Sequence, residues 1–157
     1  QVDVQSPYAI LQAQATMLGR VTRGILQGTV ETEEEGDRVQ NRLVIVAPAY
    51  GGYRHTLVTV SHDPDLPYPA TIAAEGLKGT DERGYPLYPQ AYTEDELQGL
   101  VSQALRHETA KAILHSLIAK SNEVTTRESE RKRLESLHRV TLPPEEGKVR
   151  DDGDDDD

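Results

Sequence analysis

A chain of 157 residues with a formal charge of −10 and no cysteine has room for one principal core, and it excludes a disulfide framework, a thiol nucleophile and thiolate metal sites. It contains no Phe and no Trp, so its core must be aliphatic, with Tyr supplying the only aromatic rings. No apolar run is long enough to span a bilayer and no signal-peptide pattern is visible. Because the chain begins at Gln1 rather than Met, an upstream segment is expected to have been trimmed or processed.

The charge is uneven. Glu145, Glu146, Asp151, Asp152 and Asp154 to Asp157 stand against Lys148 and Arg150, which puts −6 in the last stretch and leaves −4 for the remainder. Neither value suits a general nucleic-acid binder, which gains affinity by neutralising phosphates. Arg127, Arg131, Lys132, Arg133 and Arg139 make residues 127–139 locally basic, a face that can pair with the acidic tail or with another chain.

In chain order, Ser6-Pro7 is a helix start, with Ser at the N-cap and Pro in the first helical position. Tyr8, Leu11, Ala15 and Leu18 follow at helical spacing, and Gly19 or Gly24 should end a helix over 7–22. The period then falls to two. Leu26, Gly28, Val30 and Thr32 share one face of a strand over 25–32, and residues 33–37 read as a solvated turn. Val39, Leu43, Ile45 and Ala47 share a face of the second strand. Pro48–Gly52 is a corner leading into a third strand over 53–62, in which Val58 and Val60 oppose Tyr53, His55 and Leu57 in parity. A fourth strand over 68–75 is restricted at its start by Pro69. Val44 and Val46 make the opposite face of the second strand apolar at one end. Either residues 76–92 fold back over it or another protein covers it.

Residues 76–92, rich in Gly and Pro, read as irregular. Thr93-Glu94-Asp95-Glu96 is a capping box, and Leu97, Leu100, Val101, Ala104 and Leu105 form the stripe behind it. A second stripe, Ala110, Ile113, Leu114 and Leu117, is out of phase, so the helix either breaks near Arg106–Glu108 or bends on its way to Ser121. The expected fold is α+β: an N-terminal helix, a four-stranded antiparallel meander, and two C-terminal helices packed on one sheet face. The expected domains are a compact unit over 1–122, a charged helical extension over 123–142 and a disordered acidic tail over 143–157.

Candidate chemistry is sparse. No phosphate loop, dinucleotide fingerprint or Gly-x-Ser-x-Gly elbow is present. His107 and His115 would lie about 12 Å apart on a helix, too far for one metal. His55 and His62, seven residues apart, should point to opposite faces of their strand. His62-Asp63-Pro64-Asp65 is better explained by turn chemistry than by catalysis. Tyr85, Tyr88 and Tyr92, set among prolines, form the best candidate contact surface, and Tyr50, Tyr53 and Tyr68 can join it. The competing reading packs these rings over a helix–sheet junction in place of the missing Phe and Trp.

The sequence therefore favours a non-enzymatic protein–protein interaction module in the cytoplasm: an adaptor, immunity-type or assembly subunit. Its binding residues would be Tyr50, Tyr53, Tyr85, Tyr88, Tyr92, Arg131 and Arg133. The partner would be another protein or a second copy, with no membrane, cofactor or metal, and with nucleic acid disfavoured. The alternatives are a small hydrolase or nuclease using His55, His62, Asp63 and Asp65, or a small-ligand sensor with a pocket between sheet and helices. An α-β-β-β-β-α-α order is common to many functions and selects none of them.

Overall fold

A computed structural model describes residues 4–141. Helix α1 (Pro7–Val21) is followed by β1 (Gln27–Glu35), β2 (Arg38–Ala47), β3 (Tyr53–Asp63) and β4 (Leu66–Ala73). After a 3-10 turn at Glu75–Leu77 come the short strands β5 (Gly79–Thr80), β6 (Pro86–Leu87) and β7 (Gln90–Ala91). Helices α2 (Glu94–Arg106) and α3 (Glu108–Thr141) complete the order. The four long strands form the expected antiparallel meander, and β7 adds a fifth strand beside β4. The described residues divide into two compact units, the first ending at Asn122 and the second starting at Glu123.

The helix starts follow the sequence rules. Ser6 Oγ accepts the Ala9 amide at 3.2 Å, and Thr93 Oγ1 accepts the Glu96 amide at 3.1 Å. Glu96 reaches back to the Tyr92 amide at 2.7 Å, one residue before the N-cap. Gly24, at φ +81°, closes α1, whereas Gly19 lies within it. Between α2 and α3 the chain breaks at His107, whose Nδ1 accepts the Thr109 amide at 3.2 Å and caps the new helix. The expected end of this helix near Ser121 is not seen: α3 has no Gly or Pro along its length and runs to Thr141. Within the second unit, Glu123 pairs with Arg127 and Arg131 with Glu135, each at 3.0 Å and one turn apart. The expected tail over 143–157 lies outside the described residues.

β1 outlasts its expected length because its acids find partners across the hairpin. Glu33 pairs with Arg42 at 2.6 Å and Glu35 accepts from Gln40 at 2.7 Å, so the turn shrinks to Gly36-Asp37. The same kind of pairing accounts for Val44, which is 2% exposed. Arg54 on β3 stands opposite Val46 and Glu31 on β1 stands opposite Arg42, so their ion pair crosses β2 diagonally above Val44. Arching side chains of the sheet itself thus cover Val44, while Val46 on the same face stays half-buried.

A β-bulge at Leu57 reverses the expected parity of β3. Leu43 pairs with Val58 but Val44 pairs with Thr56, so His55, Val58, Val60 and His62 all share the helix-covered face. That face holds the core. Ile10, Leu11 and Ala15 of α1 meet Leu43, Val58, Val60 and Ile72 of the sheet and Leu97, Val101 and Ala104 of α2. A second cluster joins Leu26, Ile45 and Ala47 to Leu117, with Ile113, Leu114 and Ile118 at its margin.

The closest approach of a glycine to another backbone is at Gly28. A Cβ there would lie 2.6 Å from the Cα and carbonyl oxygen of Ala15, so helix and strand backbones touch. Gly28→Ala should lower stability by about 2–3 kcal/mol through overpacking. Gly99→Ala, on an exposed helical surface with nothing within 4 Å, should raise stability by about 0.5–1 kcal/mol. Urea unfolding midpoints of the two variants measure both effects.

Candidate functional site

The sheet forks at the end of β4. β3 pairs with β4 only between Thr59 and Asp63, because β4 stops at Ala73 and the chain turns away through Ala74 and Glu75–Leu77. From Tyr53 to Val58, β3 therefore pairs with β2 on one side and with no strand among the described residues on the other. The open side borders a cleft of about 390 Å³. His55–Thr59 form its floor, Ala73–Gly76 and Tyr88 one wall, and Ala104, Thr109, Ala110 and Ile113 the other.

Local chemistry shapes this cleft. The walls are mostly Ala, Gly and Thr, whose short side chains leave the space open. Gly76 is fixed by contact, since any Cβ there would run into the His107 ring. That ring caps α3, so one residue joins the mouth of the cleft to the start of the helix that walls it. Volume and mixed lining lie in the range of ligand and peptide sites.

The tyrosines separate into different surroundings. Tyr50 and Tyr53 touch at a centroid distance of 5.9 Å, and Lys120 Nζ lies 5.4 Å from the Tyr50 ring. Tyr88 lines the cleft. Tyr85 and Tyr92 are 63% and 62% exposed. In the second unit Arg133 is exposed, and Arg131 is occupied by Glu135.

The residues of the hydrolase alternative do not come together. His55 lies in the cleft opposite Ile45, whereas His62 stands opposite Val39, about 20 Å away along the strand. His62 has a structural setting. Thr32 donates to Asn41 Oδ1 at 2.8 Å, and Asn41 Nδ2 faces His62 Nε2 at 3.2 Å. Nε2 is thereby the acceptor, which leaves Nδ1 to donate to the Asp63 carbonyl at 2.8 Å. Asp63 Oδ1 accepts the Asp65 amide at 2.9 Å and so shapes the β3–β4 turn. No group of three or more potential metal-ligating side chains occurs among the described residues. No helix among them is long and apolar enough to cross a membrane.

A third arrangement escapes sequence reasoning entirely. Gln5 is held by three residues: its amide donates to Glu94 Oε2 at 2.5 Å, its carbonyl accepts from Tyr68 at 2.8 Å, and its side chain accepts from Gln98 at 2.9 Å. Partial burial, reinforced by the charge of Glu94, pushes the Tyr68 phenol up from 10.0 to about 12. The cleft walls Ala73, Ala74, Gly76, Thr109 and Ala110 were likewise not marked as site residues by the sequence, Ala110 being read only as part of a helix stripe. A hint of the first three was the run of small residues Ala73-Ala74-Glu75-Gly76 at the end of the fourth strand.

Comparison of the chain with protein-family models, curated proteins and solved structures gives no match.

The raised Tyr68 pKa has a signed consequence. The folded state holds this proton to about pH 12 and the unfolded chain releases it near 10. Stability should therefore be fully present below pH 10 and fall as the pH rises toward 12. Thermal melts across that window should show a shallower alkaline decline for Tyr68→Phe than for the parent chain.

Proposed function

We propose that this chain is a non-enzymatic protein-interaction module, a subunit of a complex, that receives its partner at the cleft beside β3. The observation that carries the reading is the main-chain edge of Tyr53–Val58, which no strand among the described residues pairs on its outer side and whose part from His55 onward lines the cleft. Exposed edges are the parts of a sheet most ready to pair with another chain, and proteins ordinarily cover or charge them. The outer edge, β1, ends in Glu33, Glu34 and Glu35, which repel a neighbouring strand of like charge. The β3 edge carries no such run.

A second reading, a small-ligand sensor, draws on the same cleft, whose volume suits a compact ligand. His55 and Tyr88 would then supply the orienting polar groups.

A photo-crosslinking amino acid placed at Tyr88 tests the module, with the same group at Met17, 48% exposed on α1, as control. In the native host, irradiation should give a discrete protein adduct from position 88 and none from position 17. Equal adducts at both positions, or none at 88, would sink the proposal.

A further inference from the structure

We infer that the partner enters the cleft as an extended, uncharged polypeptide segment that pairs with Tyr53–Val58 as an added β-strand, in the lane that β4 vacates. This inference rests on the interaction-module reading and adds to it the mode of recognition. The free edge is about 20 Å long, the length of an ordinary strand. Before the bulge at Leu57 alternate residues of this edge turn their N–H and C=O outward, and an added strand satisfies them whatever its sequence. Affinity then comes from the main chain, and selectivity from whatever the cleft admits beside it.

The lining specifies the guest. Ala73, Gly76, Thr109 and Ala110 keep the space open, and its volume of about 390 Å³ suits small or medium side chains on the inner face of the added strand. His55, Glu75 and Tyr88 are the titratable side chains on the lining, so the cleft offers few charged groups to a highly charged segment. The chain's own acidic end, Asp151–Asp157, is thereby a poor occupant.

A second copy is also a poor occupant. Paired strands lie about 4.8 Å apart, and this edge is recessed between the wall at Ala74–Gly76 and the start of α3. Two copies, each recessed in this way, would meet wall against wall before their β3 strands came within reach. A single extended segment has no such obstacle. The bulge at Leu57 fits the arrangement, because it places both Leu57 and His55 on the cleft floor.

The test uses the whole chain and a set of acetylated heptapeptide amides that alternate Thr with Ala, Val, Leu or Ser. Amide hydrogen exchange of residues 53–58 should slow about tenfold at millimolar concentrations of the best peptide. Exchange at Glu31–Glu35, on the far edge, should not change. A peptide with the same side chains but N-methylated at alternate residues should give no protection, and Thr109→Trp, which fills the cleft, should abolish protection by the parent peptide. If the methylated peptide protects as well as its parent, strand addition is overturned while the cleft remains a binding site. If no peptide in the set protects residues 53–58, the inference is overturned, and the crosslink at position 88 decides separately whether the module reading stands. Should Thr109→Trp fail to fold, Ala74→Ile, which narrows the same cleft, takes its place with the same expected loss.

Discussion

The backbone contact between Ala15 and Gly28 governs how the rest of this protein packs. A core without Phe or Trp cannot fill a wide gap between layers, because aliphatic side chains are short. Bringing α1 directly onto β1 narrows that gap. Ile10 and Leu11 then reach Leu43, Val58 and Val60, and α2 completes the layer with Leu97, Val101 and Ala104. The helix layer covers one face of the sheet. The other face is finished by ion pairs among the strands, the Glu31–Arg54 pair above Val44 being the clearest case.

The cleft follows from the same economy of side chains. β4 leaves β3 after Thr59, and β7 takes up its far side, so the sheet stays five strands wide at one end and narrows at the other. The 3-10 turn and the α2–α3 junction occupy the space beside the narrowed end without sealing it, since the residues placed there are mostly Ala, Gly and Thr. Larger side chains at those positions would have filled the cleft. His107 stabilises this region twice, by resting on Gly76 and by capping α3.

Local signals were legible where the chemistry is local. Ser6-Pro7, the Thr93 box and the glycines at 51 and 52, with φ of +64° and +71°, act through neighbours a few residues away. They showed the helix starts and the corner correctly. The bulge at Leu57 was invisible because no Gly or Pro marks it and it exists only through the register of β3 against β2. Missing it put His55 and His62 on opposite faces, when they share one. Strand pairing in residues 76–92 was missed for a similar reason: β7 is two residues long and depends on β4 being beside it.

The sequence alone determined that this chain is α+β, with one helix before a meander and helices after it, because apolar periodicity and capping residues are written locally. It also determined an aliphatic core and an acidic balance. The tertiary structure alone decided that His55 and Tyr88 line one cleft while His62 and Asp63 serve a turn. It also decided that part of β3 is left with a paired strand on one side only among the described residues. Such facts depend on which strand lies beside which and where their pairing stops, and residues far apart in the chain share that decision.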